Sequence, residues 1–193
     1  MDAIKKNMAK ILHLTILVGV LSLIPFHPAS AQRTSSGQSS ISISCTYNGT
    51  SVGAEAFYQQ YTLNGFWEAG IMGADYSAPL RGYGALRYDD LSAAGGYAFR
   101  LLATRSRGIN WYAGAGAFAG IEYLDPLHRL PSYLDLGRKQ LSFLYGVYAR
   151  TTLEIFLGMR VALLVQATLP VNFSSSVSHW HYGVGGGIKF LFN

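Results

Sequence analysis

The chain reads as all-β: an eight-stranded antiparallel up-and-down outer-membrane β-barrel behind a cleaved signal peptide. Three observations predict this. Residues 1–31 are organised as an export signal. Beyond them, strand-like segments are joined alternately by brief and by long connections, the layout of barrels with short periplasmic turns and longer outer loops. In the second half, apolar residues alternate with small or polar ones over segments long enough to cross a bilayer as strands.

The signal comes first. Lys5, Lys6 and Lys10 form a basic n-region, Ile11 to Ile24 is mostly apolar, and Pro25 and Pro28 end the run. Ala29-Ser30-Ala31 is a small-x-small cleavage site before Gln32. The apolar run is short for an uncleaved anchor, which needs about 20 residues. Cys45 lies too far past Ala31 to be a lipidated terminus. Cleavage removes three of the 15 basic and one of the 10 acidic residues, leaving a mildly basic chain. Its cations are scattered, and all but Lys139 and Lys189 are Arg, so no nucleic-acid patch is expected. The lone Cys45 excludes an internal disulfide and a cysteine metal cluster. The remaining chain holds no continuous apolar stretch long enough for a membrane helix. In lipid only a closed barrel then satisfies the backbone.

The expected domains are the signal at 1–31, a flexible polar lead-in at 32–40 and the barrel at 41–193. Strand one is placed at 41–48, where Ile41, Ile43, Cys45 and Tyr47 alternate with small polar residues. Strand two, at 54–63, runs into Asn64-Gly65, a dipeptide suited to a type I′ turn. Strand three follows at 66–76 and strand four at 87–102, separated by a long connection at Ser77–Leu86. Thr104–Arg107 is a short turn before strand five at 109–123. The longest loop, Leu124–Lys139, leads to strand six at 140–154. Ile155–Gly158 turns into strand seven at 159–170, and Asn172–His179 leads to strand eight at 180–192.

Strand six puts Leu141, Phe143, Tyr145, Val147, Ala149, Thr151 and Leu153 on one face. Ser142, Gly146, Tyr148, Arg150, Thr152 and Glu154 lie on the other, with Leu144 breaking the pattern. Leu164 is the corresponding exception in strand seven. Aromatic residues near strand ends, such as Trp67, Trp111, Tyr123 and Trp180, suit interfacial girdles. A secreted β-sandwich alternates too, but with a polar exterior and strands of about 5–6 residues. A helix over 109–121 would contain Gly114, Gly116 and Gly120, each costing about 1 kcal/mol relative to Ala.

The face opposite the apolar one carries charge: Glu68, Arg100, Glu122, Arg150, Glu154, Arg160 and Lys189. Eight strands enclose an interior just wide enough for side chains to fill. Isolated charges there cost several kcal/mol each, so Arg–Glu pairing that plugs the barrel is expected over an open pore. The glycines of strands four, five and eight lack a phosphate-loop spacing ending in Lys-Ser/Thr, so no nucleotide or other cofactor is expected. His179 and His181 share a strand face, but no third metal ligand lies nearby in sequence, so no metal site is expected either. Ser178, His179 and Glu154 are the only raw material for a lipid-modifying hydrolase, in no His-x-Ser arrangement, so no catalytic residue is assigned. The long loop combines apolar and charged residues, with Leu127, His128, Arg129, Tyr133 and Arg138 as the candidate partner contacts. The alternative is a loop folded over its own barrel mouth.

Several segments resemble the TraO family of Bacteroides-type conjugative transposons. These are the ASA-QR junction, GGYAFRLL (95–102), INWYAGAGAFAGIEYLD (109–125), ALLVQATLP (162–170) and the closing YGVGGGIKFLFN (182–193). The aromatic C-terminal strand, with Phe192 penultimate, also resembles bacterial outer-membrane barrels. The TraO resemblance implies a non-catalytic role in conjugative DNA transfer, in the outer membrane of a Gram-negative bacterium. The implied partners are other envelope proteins of the mating apparatus and outer-membrane lipid, without direct nucleic-acid contact. A general barrel for envelope integrity or adhesion is the alternative.

Overall fold

The structure, a computed structural model, describes residues 36–80, 84–104, 108–124, 141–175 and 180–192. Eight strands run in chain order: β1 (Ser39–Tyr47), β2 (Ser51–Tyr61), β3 (Gly65–Leu80), β4 (Gly84–Ala103), β5 (Ile109–Leu124), β6 (Leu141–Phe156), β7 (Val161–Asn172) and β8 (Gly183–Phe192). Each pairs antiparallel with the next, and β8 closes on β1 from Ser39↔Phe192 to Tyr47↔Val184. Closure leaves no free edge around the wall, which is what a strand-built membrane protein requires.

Alternation explains the two faces. Ile41, Ile43, Ile71, Leu91, Phe143, Tyr145, Val165, Ile188 and Phe190 point outward and are exposed. Ser40, Ser42, Glu55, Gln59, Ser92, Thr152, Gln166 and Thr168 point inward and are buried. The apolar surface is therefore on the outside and much of the polar surface is inside, the inverse of a soluble sandwich. Leu144 and Leu164 are inward-facing and buried, so the interior is layered rather than uniformly polar.

Three local expectations are corrected. β1 begins within the expected lead-in, and the Gly37 amide donates to the Tyr61 carbonyl at 2.9 Å. Most of Ser77–Leu86 is strand rather than loop: pairing continues from Ser77↔Arg87 to Leu80↔Gly84. Pro79 and the glycines disguise it, but β3 has no β2 partner beyond Tyr76, and a proline is tolerated where one strand edge is unpaired. Asn64-Gly65 is not a two-residue type I′ turn. β3 starts at Gly65, which does not take a positive φ, and the Thr62 amide donates to the Gly65 carbonyl at 2.8 Å. A side chain at Gly65 would collide with the Ala98 carbonyl, so close approach of backbones explains this glycine.

Candidate functional site

The interior is filled in layers. At the end carrying the short turns, Lys189 and Glu154 form an ion pair with both side chains fully buried. The Tyr61 hydroxyl donates to the Glu154 carboxylate at 3.0 and 3.1 Å, and Lys189 Nζ donates to Tyr61 Oη at 3.0 Å. Nζ also stands 4.6 Å from the Phe66 ring centroid. Tyr61, Phe66, Ala98, Tyr112 and Leu191 pack as one buried cluster around the pair. Four strands thus hold one ammonium: Lys189 on β8, Glu154 on β6, Tyr61 on β2 and Phe66 on β3.

The middle layer turns on Arg150. Its Nη2 lies 2.8 Å from Glu55 Oε2, and its Nη1 lies 3.3 Å from both oxygens of Glu68. Its Nε donates to Thr168 Oγ1 at 3.3 Å. Gln166 Nε2 donates to Glu55 at 2.9 Å, and Tyr148 Oη donates to Glu68 at 2.8 Å. The guanidinium sits 4.4 Å from the Phe57 ring centroid. One cation therefore serves two buried carboxylates, which neutral donors also solvate. That satisfaction is what makes a buried charge network tolerable. Phe57, Ala94, Phe118, Leu144 and Tyr148 form the adjoining apolar layer.

At the end carrying the long connections, Glu122 is buried and accepts bonds from Ser142 Oγ at 3.2 Å and Ser175 Oγ at 2.6 Å. Tyr76 stacks on Tyr88 at 4.9 Å, and His181 lies 4.4 Å from Tyr76. His181 Nε2 and Tyr88 Oη are hydrogen-bonded at 3.3 Å. Burial pushes the His181 imidazole below its ordinary pKa, with Glu122 partly opposing that shift. A cavity of about 70 Å³ opens beside these rings.

Of the seven charges expected in the lumen, Glu68 and Arg150 meet in one network, and Glu154 and Lys189 in another. Glu122 stands apart from both, near the outer end. Arg100 and Arg160 correct the expectation. Arg100 is half-buried at the turn end, and its guanidinium caps the β2–β3 turn by donating to the Leu63 carbonyl at 2.8 Å. A register shift between Arg100 and Leu102 interrupts the β4–β5 pairing there, which resumes at Leu102↔Trp111. Arg160 lies in the β6–β7 turn and is exposed, because β7 begins at Val161. Leu127, His128, Arg129, Tyr133 and Arg138 lie outside the described residues, as do Ser178 and His179. Among the described residues, no three His, Cys, Asp or Glu side chains are grouped to hold a metal.

Sequence reasoning missed Glu55 and Tyr61, which complete the two ion networks. Strand parity contained the signal, since Ser51, Gly53, Glu55, Phe57, Gln59 and Tyr61 share a face. Bulky rings on that inner face and Gln60 on the outer one blur the polar/apolar contrast.

Residues 67–192 match the family described as conjugative transposon protein TraO. The chain belongs to the TraO family. The TraO match runs from β3 to the end of β8, so it contains Glu68, Glu122, Arg150, Glu154 and Lys189 and leaves out Glu55 and Tyr61. Among solved structures, this TraO-family chain is similar to the N-terminal β-barrel domain of Pseudomonas aeruginosa OprF. The identity is 11% and the TM-score 0.50, over 81% of this chain and 98% of that one. It is also similar to Ail, the attachment invasion locus protein of Yersinia pestis. There the identity is 16% and the TM-score 0.45, over 82% of this chain and 100% of that one. The OprF likeness is one of fold: an outer-membrane β-barrel. No curated protein matches the TraO-family chain in sequence.

Proposed function

We propose that this TraO-family protein is exported by cleavage after Ala31 and inserted into the outer membrane of a Gram-negative bacterium. There it serves conjugative DNA transfer as a non-catalytic scaffold or stabiliser of the mating apparatus. The observation that carries this reading, beside family membership, is the filled lumen. Arg150 with Glu55 and Glu68, Lys189 with Glu154, and the aromatic clusters between them occupy the cross-section of an eight-stranded wall. A DNA strand does not fit through such an interior, so the contribution to transfer is made by surfaces. Those surfaces are the periplasmic turns, which meet other envelope proteins of the apparatus, and the outer loops, with Leu127, His128, Arg129, Tyr133 and Arg138 as contact residues. The apolar exterior meets lipid, and the protein makes no direct nucleic-acid contact.

The test is the mating frequency of a donor lacking the gene, complemented with the intact gene or with one whose loop carries Arg129→Ala, Tyr133→Ala and Arg138→Ala. Transfer collapses in the deletion strain and returns with the intact gene. The loop variant, present at normal level in the outer membrane, restores it only partly. Normal transfer without the gene would overturn the conjugation role and leave a general envelope barrel.

A further inference from the structure

The cavity at the outer end of the lumen has a composition that the scaffold role does not use. Glu55, Met72 and Leu144 are among the residues that line it. Tyr76 and His181 line it too, and Tyr76 in turn stacks on Tyr88. So does Asp90, whose Oδ1 is buried and accepts no hydrogen bond. A buried carboxylate oxygen without a donor is costly, and native structures seldom leave one so. The β4–β5 register sets Asp90 directly opposite Glu122 on the inner face, and like charges so placed repel. Glu55, which also lines the cavity, already shares its cation with Glu68.

These features select the sign and kind of ligand. An anion is excluded by the carboxylates. A neutral apolar molecule leaves Asp90 Oδ1 unpaired. Among the described residues, no group of three His, Cys, Asp or Glu donors offers a metal its ligand set. An organic ammonium answers each feature: its N–H groups donate to Asp90, its charge balances that carboxylate, and its alkyl carbons lie against the Tyr76 and His181 rings. The volume of about 70 Å³ suits it, since one water-sized group needs about 10–15 Å³ on this measure. We propose that this outer cavity is a binding site for a small primary ammonium, held by the Asp90 carboxylate against the Tyr76 and His181 rings. The ammonium comes either from a free amine or from a lysine side chain presented by another protein. The site stands on the lumen geometry and does not depend on the conjugation role.

The experiment is calorimetric titration of the refolded barrel in detergent micelles at constant ionic strength. The probes are n-butylammonium, its neutral counterpart 1-butanol, and Nα-acetyl-lysine N-methylamide. n-Butylammonium binds saturably at one site and 1-butanol does not. Asp90→Asn weakens binding by about tenfold or more, the usual loss for a charge-assisted bond. Asp75→Asn, which neutralises an exposed carboxylate that does not line the cavity, leaves binding unchanged. If the lysine derivative binds as well as n-butylammonium, a protein-borne lysine fits the site. If n-butylammonium alone binds, the ligand is a free amine. No saturable binding, equal binding of 1-butanol, or equal weakening by Asp75→Asn and Asp90→Asn would overturn the proposal. Mating frequency plays no part in that outcome, so the two readings fail separately.

Discussion

Replacing Arg150 with Met tests whether the middle of the barrel is held by charge or by shape. The side chains of Arg150, Glu55 and Glu68 are 6%, 7% and 4% exposed, so water does not rescue either carboxylate once the guanidinium is gone. Removing one partner of a buried pair costs about 3–5 kcal/mol. Two carboxylates are stranded here, which pushes the loss upward. Glu55 keeps its bond from Gln166, and Glu68 keeps those from Tyr148 and Gln59, which pulls it back. The expectation is therefore a loss of about 3–5 kcal/mol rather than twice that. Reversible urea unfolding in phospholipid vesicles measures it. Trp67, Trp111 and Trp180 are exposed on the barrel exterior, so their fluorescence follows the loss of the lipid environment. The companion variant Arg150→Met/Glu55→Gln/Glu68→Gln keeps similar volume without charge and recovers most of the stability. A loss below about 1 kcal/mol for Arg150→Met, the range of exposed ion pairs, would refute the reasoning. So would a triple variant no more stable than the single one. In that case the guanidinium acts through its packing on Phe57 and Tyr148.

Further outcomes follow from other parts of the lumen. Lys189→Met strands Glu154 between Tyr61 and the aromatic cluster and lowers stability by about 3–5 kcal/mol, whereas Lys189→Met/Glu154→Gln lies much closer to wild type in the same unfolding assay. Gly96→Ala costs about 1–3 kcal/mol, because the new methyl meets the Ala115 carbonyl at 2.6 Å and Tyr148 Oη at 2.7 Å. Gly95→Ala, one residue away on the exterior, meets nothing closer than 3.5 Å and stays within about 0.5 kcal/mol of wild type. His181 has a folded pKa below its ordinary 6.5, so the unfolded chain binds more protons as pH falls through that range. Its contribution is intact above about pH 6.5 and is lost on acidification; His181→Phe flattens stability against pH between 7 and the lowered pKa, and an unchanged slope would contradict the burial.

Much of the architecture was legible because a membrane barrel imposes strict rules on its chain. Strand number, order and the alternation of β6, β7 and β8 follow from a period-2 pattern that lipid enforces on every outward residue. Ends were less legible. Pro79 and Gly84 read as loop, yet both extend the β3–β4 hairpin, because a two-stranded ribbon tolerates residues that a central strand rejects. Gly65 was read as a turn glycine, but the Ala98 backbone is what requires it.

By itself, the sequence determined that charges such as Glu68, Arg150, Glu154 and Lys189 face the interior, since parity along one strand depends only on neighbouring residues. Which charge meets which was decided by the tertiary structure alone. Arg150 on β6 reaches Glu55 on β2 and Glu68 on β3, and Lys189 on β8 reaches Glu154 on β6, across the lumen rather than along any ladder. Such contacts depend on how the closed wall staggers its strands and on which side chains fill the space between. The same closure leaves Arg100 at the turn end and Arg160 in solvent, although strand parity alone had placed both inside. It also brings His181 against Tyr76 and Tyr88, residues about a hundred positions away, and so forms a cavity for which the linear chain has no signature.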